Sequence, residues 1–289
     1  MPQAPGSATD NVARVVAPEM AKQLGQPVVV DNRPGGALTI GIDAVAKSAP
    51  DGYTIGMGPV GALAITRHMV QHLPYDIERD LQPVALISSG YMLLAASPKA
   101  PFTNVRELIA YAKAHPGKLS NASSSNGSPG HVSGELFKYM TGIKMVHVPY
   151  KGGPQAATDV ASGQVDMWFG GLPSIMPFVK SGRVRALAVT SLQRSPALPE
   201  VPTMNEAGVP GYEVILWYGI FAPAATPREI VQRLNAEIVK ALGAPEIRER
   251  YAALGLTAVG SAPDPFEKFF RAEIEKWGKV VKAAGLKAE

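Results

Sequence analysis

The chain of 289 residues contains no cysteine. Disulfides, thiolate-bound zinc, iron–sulfur clusters and a thiol nucleophile are therefore excluded. Charge is sparse: Asp, Glu, Lys and Arg make up 18%, against about a quarter in an average soluble domain. The balance of 28 basic and 24 acidic residues leaves +4. No basic run accompanies it, so there is no electrostatic footprint for nucleic acid. No window approaches the roughly 18 apolar residues that a membrane-crossing helix requires. The opening Met1-Pro2-Gln3-Ala4-Pro5-Gly6 lacks the basic and apolar regions of a signal peptide, which leaves a cytoplasmic protein or a form whose leader has been removed. The five histidines show no metal spacing. His68 and His72 lie four apart without a third ligand, and no motif calls for a metal or cofactor.

Glycine and proline are abundant, 29 and 26 residues respectively. They are spread along the chain, as short defined turns require. Strand patterns at 28–30, 53–57, 83–87, 91–96, 119–122, 144–148, 165–169, 186–190 and 214–222 alternate with helical ones. Asp10 is placed to cap a helix ending at Leu24 before Gly25, and Thr103 to cap another that Pro116-Gly117 ends. Thr226-Pro227-Arg228-Glu229 reads as a capping box, and Asp264-Pro265-Phe266-Glu267 repeats it. Ile230, Leu234, Ile238 and Leu242 form one stripe. Phe266, Phe269, Phe270, Ile274, Trp277 and Val281 form another. The alternation predicts α/β architecture with largely parallel, doubly wound sheets and flanking helices. Pro-rich segments at 97–101 and 222–227 suggest hinge crossovers between two lobes, residues 1–98 with 226–289 and residues 99–225. Such a molecule closes on a ligand held between its lobes, in the manner of a Venus flytrap.

Several loops carry candidate chemistry. Gly56-Met57-Gly58-Pro59-Val60-Gly61 matches a dinucleotide fingerprint after a strand. Pro59, however, removes a backbone N–H from it, and Asp76 and Glu78 precede a strand instead of ending one. The reading kept open is a nucleotide-dependent enzyme using this loop. The stretch from Ser123 through Ser125, Asn126, Gly127 and Ser128 to His131 opens a helix. It reads as an ordinary polar helix entry, or as an anion cradle built from free N–H groups, hydroxyls and the helix dipole. A Ser128–His131 nucleophilic pair is a third reading, but no G-x-S-x-G elbow supports it. Three more loops of this kind are Asn32-Arg33-Pro34-Gly35-Gly36, the stretch from Pro5 to Asp10, and Tyr150-Lys151-Gly152-Gly153. Trp217 and Tyr218 precede the second Pro-rich segment and either pack in the core or line a cleft mouth.

Six segments together resemble one family. They are Asn32-Arg33-Pro34-Gly35-Gly36, Pro50-Asp51-Gly52-Tyr53-Thr54, Leu73-Pro74-Tyr75-Asp76, Val146-His147-Val148-Pro149-Tyr150-Lys151-Gly152-Gly153, Arg185-Ala186-Leu187-Ala188-Val189-Thr190 and Pro199-Glu200-Val201-Pro202-Thr203. Their order and spacing are similar to those of the Bug-type solute-binding proteins of tripartite tricarboxylate transporters. The resemblance implies a periplasmic, non-catalytic receptor. It would hold a small carboxylate in the interlobe cleft and deliver it to membrane permease subunits. The site it implies comprises Gly6, Ser7 and Thr9; Gly58, Pro59, Val60 and Gly61; Ser125, Asn126, Gly127, Ser128 and His131; and Tyr150, Lys151 and Gly152. Gly170 follows Phe169 where the family often carries Asp or Asn, which favours a plain carboxylate over an amino acid. The family also begins with a strand that has no counterpart before Pro5. A cytoplasmic sensor on the same fold is the remaining alternative.

Overall fold

A computed structural model describes residues 1–286 except Ala4, Ser125, Asn126 and Lys151, together with the backbone alone at Ala37, Pro173 and Ala284. Ser7 opens α1 (Ala8–Leu24): its hydroxyl accepts the Asp10 N–H at 3.2 Å, and Gly25, at φ 67°, ends the helix. The cap is thus Ser7. Asp10, the residue expected to cap, lies inside the first turn and instead accepts the Gly6 N–H at 2.8 Å. The chain continues through α2 (Thr39–Ala46), β1 (Gly56–Pro59), a buried π-helical turn (Gly61–Ile65), α3 (Thr66–Met69) and the long β2 (Leu81–Ala96).

Next come α4 (Val105–Ala114), β3 (Ser120–Ser123), α5 (Pro129–Thr141), β4 (Val146–Pro149), α6 (Gly153–Ser162), β5 (Met167–Gly171), α7 (Leu172–Lys180) and β6 (Arg185–Val189). The chain finishes with β7 (Ile215–Pro223), α8 (Arg228–Leu242), α9 (Pro245–Ala253), β8 (Leu256–Ala258) and α10 (Pro263–Ala284).

Leaving aside the last residues, the contacts divide the chain into two units, Met1–Gly90 with Trp217–Lys282, and Tyr91–Leu216. Both division points fall inside strands, β2 and β7, earlier in the chain than the Pro-rich segments at 97–101 and 222–227. In the first unit β1 pairs antiparallel with β7, and β2 with β8. Its core joins Val12, Val16 and Met20 of α1 to Val84 and Ile87 of β2 and to Ile238 and Leu242 of α8. In the second unit β3 lies parallel to both β4 and β5, while β2 pairs antiparallel with β5 and β6. The pairing is therefore mixed where a largely parallel one was expected. The parallel ladders β3–β4 and β3–β5 join strands linked by crossover helices, as such connections require.

Other expectations are corrected. The patterns at 83–87 and 91–96 are one strand. Ser88, Ser89 and Gly90 between them pair with β8, and a Cβ at Gly90 would come within 2.9 Å of the Gly255 carbonyl. Among the described residues, 28–30 finds no ladder, and Val29 is 82% exposed. β1 begins at Gly56, after Asp51 has captured the Tyr53 N–H at 3.0 Å in a turn. Asn104 caps α4, while Thr103 bonds the Glu107 carboxylate. No capping box forms at 226–229: the Thr226 hydroxyl is buried without a partner among the described residues. Asp264 lies within the first turn of α10, not before it. The aromatic stripe of α10 is buried as read, apart from half-buried Phe269.

Candidate functional site: amide-lined loops at strand ends

β5, β3 and β4 are adjacent and parallel, so their carboxyl ends share one edge of the second unit's sheet. Each runs directly into a helix: β3 into α5, β4 into α6 and β5 into α7. Three helix N-termini thus gather along one edge, where open α/β sheets bind ligands and where unpaired N–H groups and the helix dipoles favour an anion. The loops are tied together by backbone. The Tyr150 N–H donates to the Ser123 carbonyl at 2.8 Å. A Cβ on Gly130 would come within 2.7 Å of the Phe169 carbonyl, so α5 can approach β5 this closely only because Gly130 has no side chain.

The three N-termini are finished differently. α5 is capped by Ser128, whose hydroxyl accepts the His131 N–H at 3.4 Å. α6 follows Gly152 and α7 follows Gly171, and neither has a side-chain cap. An uncapped first turn keeps its donors for other partners. In α6 Pro154 supplies none, leaving those of Gly153 and Gln155.

His131 is 6% exposed. Its Nδ1 accepts the Gly127 N–H at 3.0 Å, and its ring stacks on His147 with centroids 3.7 Å apart and planes 7° from parallel. His147 Nε2 lies 2.6 Å from the Ser123 hydroxyl. Burial holds both imidazoles at a pKa of about 4, far below their ordinary value. The Lys138 charge adds to this at His131, and the neighbouring ring adds to it at His147. The pair is therefore neutral at pH 7, and its role is to shape the loop. This geometry removes the Ser128–His131 nucleophile reading, because the Ser128 hydroxyl is a helix cap and the imidazole Nδ1 holds a backbone amide.

Of the residues expected at the site in this unit, Gly127, Ser128, His131, Tyr150, Gly152 and Gly170 lie on these loops or strand ends. Ser125, Asn126 and Lys151 lie outside the described residues. The Tyr150 hydroxyl donates to Asp159 Oδ2 at 2.8 Å. Burial, reinforced by that carboxylate, raises its pKa to about 12. Gly170 is buried beneath the Trp168 ring, which a Cβ would meet at 2.8 Å.

In the first unit, Gly6, Ser7 and Thr9 surround the start of α1, but their groups are largely spent within the chain. The Thr9 hydroxyl donates to Gln3 Oε1, Ser7 is the cap, and the Gly6 N–H is held by Asp10. Asp10, 2% exposed, organises this loop and was not singled out for that role. It also takes Arg14 Nε at 2.9 Å and Asn32 Nδ2 at 3.0 Å. Arg14, followed by the Gly6 amide and Asn32, holds its pKa at about 2 against the opposing effect of burial. Gly58 and Pro59 sit in β1, paired with Gly219 and Tyr218; Val60 and Gly61 begin the π-helical turn. The fingerprint's first four residues, Gly56 to Pro59, are thus strand residues that cannot wrap a pyrophosphate. The nucleotide reading loses its loop.

Trp217 is corrected from a cleft residue to a core one. It is fully buried, its Nε1 donates to Glu273 Oε2 at 2.9 Å, and Phe266, Phe269 and Phe270 pack edge-on around it. No group of three metal-ligating side chains occurs among the described residues.

Two α/β units, with amide-rich loops at strand ends, define an α/β solute-binding protein. Residues 12–286 match the model of the tripartite tricarboxylate transporter family receptor. BugT of Bordetella pertussis is 38% identical over 99% of this chain and 88% of its own. Two solved structures are similar throughout. Rpa4515 of R. palustris with adipate has a TM-score of 0.84 and 39% identity, covering 99% of this chain and 96% of that one. MatC of Rhodopseudomonas palustris with bound malate has a TM-score of 0.82 and 34% identity, covering 97% and 96%. The chain belongs to the tripartite tricarboxylate transporter receptor family, of the Bug type.

Proposed function

We propose that this protein is an extracytoplasmic receptor that captures a small organic carboxylate and presents it to the membrane permease of a secondary transporter. The observation that carries the reading is the row of three helix N-termini on the second unit's sheet edge, two of them without side-chain caps. Backbone N–H groups and aligned dipoles recognise a carboxylate without a fixed cation. His131 and His147, neutral at pH 7, add no charge of their own beside the row. Rpa4515 with adipate and MatC with malate support a dicarboxylate of four to six carbons. Gly170 and Gly171, where an acidic side chain would be needed to hold an ammonium group, favour a plain acid over an amino acid.

A thermal-shift screen against aliphatic mono- and dicarboxylates, followed by calorimetry, tests this. A ligand at 100 times its Kd adds about 2.7 kcal/mol of stability. A shift with a dicarboxylate is expected. Stabilisation by NAD(P) or ATP with none by any carboxylate would overturn the proposal.

A further inference from the structure

The chain's surplus of positive charge belongs to its second unit. Of the 28 basic and 24 acidic residues, eleven and seven fall within residues 91–216, which leaves seventeen of each elsewhere. The sheet of this unit runs β6-β2-β5-β3-β4. β3, β4, β5 and β6 all point one way, so their amino ends share the edge opposite the amide-lined loops. β2 runs against them and ends there too.

Basic side chains punctuate that edge. Lys113 and Lys118 precede β3, Lys144 precedes β4, Lys180 and Arg183 precede β6, and Lys99 follows β2; all six are exposed. Lys113 and Lys180 lie in the last turns of α4 and α7, where a cation offsets the helix dipole. The other four lie outside helices, and that explanation does not reach them. None of the six has an acidic partner among the described residues. The ion pairs of this unit are those of Glu135 with His131 and Lys138, and of Arg194 with Glu206. Lys99 Nζ donates to the Ser162 carbonyl at 2.8 Å, and Arg183 lies 5.1 Å from the centre of the Phe178 ring; neither partner carries charge. Two carboxylates lie in the same segments, Asp166 before β5 and Glu107 on α4. The first is held by the N–H and hydroxyl of Ser120, the second by those of Thr103.

Five strands spaced about 4.8 Å apart spread these cations along roughly 19 Å of edge. Two exposed side chains with apolar surface flank Lys144: Tyr139, 57% exposed in the last turn of α5, and Val146, 52% exposed at the start of β4. Recognition of an acidic peptide favours converging, forked donors, the geometry that Arg supplies. Five of the six cations here are Lys, flexible and strongly hydrated point charges, strung along a line. They suit a diffuse sheet of negative charge such as phospholipid headgroups present. A tyrosine, with its apolar ring and polar tip, belongs at the same interface.

We infer that this edge is a membrane-facing surface, which holds the protein electrostatically against anionic phospholipid headgroups. The amide-lined loops lie at the other end of the same strands, so attachment to lipid does not compete with a ligand there.

The test is co-sedimentation of the full chain with vesicles of equimolar phosphatidylglycerol and phosphatidylcholine, beside vesicles of phosphatidylcholine alone. Binding is expected on the first and not on the second, and it should weaken steeply as salt is raised. A lysine near an anionic surface strengthens partitioning about fivefold, so Lys118→Gln with Lys144→Gln should weaken it about 25-fold. Lys240→Gln with Lys268→Gln, at exposed positions of α8 and α10 in the first unit, makes the same change in net charge. It should weaken binding no more than about twofold. Urea midpoints and carboxylate calorimetry should be the same for both double variants as for the parent. Vesicle binding needs no carboxylate, so failure of this inference is separable from failure of the receptor reading. Equal losses in the two double variants would overturn the inference, because net charge alone would then account for binding. So would no binding to the anionic vesicles; retention on immobilised polyglutamate through Lys118 and Lys144 in that case would assign the edge to an acidic protein.

Discussion

Replacing Trp217 with Phe separates a core residue from a ligand-binding one. The indole N–H donates to the Glu273 carboxylate at 2.9 Å in a fully buried setting. A hydrogen bond to a charged partner contributes about 1.5–3 kcal/mol. Glu273 keeps Trp277 Nε1 on the same oxygen at 3.0 Å and Lys276 Nζ on the other at 3.0 Å. The carboxylate is therefore not stranded, and the polar loss falls near the lower end of that range. The phenyl ring still meets Phe266, Phe269 and Phe270, whose centroids stand 5.9, 5.6 and 6.3 Å from the indole. The smaller ring leaves a modest void, costing about another 1 kcal/mol. The expected total is about 2–3 kcal/mol, read as a lower urea midpoint for the first unit. Carboxylate affinity at a temperature where the variant is folded should stay within about twofold. A tenfold weaker Kd, about 1.4 kcal/mol, with an unmoved urea midpoint would refute the core assignment and return Trp217 to the binding surface.

Four further outcomes follow from the second unit. Gly130→Ala places a methyl 2.7 Å from the Phe169 carbonyl. Overpacking of about 1–3 kcal/mol outweighs a helix-propensity gain of about 1, and the displaced α5 should weaken carboxylate binding by calorimetry. Gly142→Ala, at φ 68° with open space around it, should lower stability and leave binding unchanged. Ser128→Ala removes the α5 cap and should cost about 1 kcal/mol in urea unfolding; no loss would mean that the cap is redundant. His131 and His147 titrate near 4 when folded and near 6.5 when unfolded. The unfolded chain takes protons first as pH falls, so stability present above about 6.5 is lost progressively down to about 4. The slope is at most about 1.4 kcal/mol per pH unit for each ring, and less for half-exposed His147. Asp10, held near 2, loses its contribution only as pH falls below 3.8 and does not enter this window. Urea midpoints at pH 7 and 4.5 should differ, and His147→Gln should shrink the difference; a flat wild-type profile would refute it.

Elements with strong local signals were legible in the sequence. α10 announced itself through aromatic spacing, and α8 through the stripe of Ile230, Leu234, Ile238 and Leu242, because 3.6-residue periodicity is a local property. The errors occur where long-range pairing overrides local chemistry. Ser88-Ser89-Gly90 looks like a turn, yet β8 pairs with it inside one continuous strand. The valines at 28–30 look like a strand, yet a strand needs a neighbour, and none of the described residues supplies one. Caps shifted by one to three residues for a similar reason. Ser7 and Asp10, or Thr103 and Asn104, are chemically interchangeable as acceptors, and only the path of the incoming chain decides between them.

The candidate site was legible as a set of loops but not as a set of donors. A backbone amide carries no side-chain signature, so Gly/Ser/Pro clusters after strands mark where donors gather without revealing which are free. The structure reverses the expectation at several positions. The Ser7, Thr9 and Tyr150 hydroxyls, which the sequence advertises as hydrogen-bonding groups, are bonded within their own unit. The helix starts at Gly153 and Leu172, which carry no polar side chain, lack side-chain caps. The His131–His147 stack was hidden for another reason: it joins the first turn of α5 to β4, and only the parallel register that sets Asn121 beside His147 brings the rings together. On the function proposed, a ligand bound along this row is selected by the distance between the helix starts, so acid chain length should govern affinity more strongly than any single side-chain replacement on these loops.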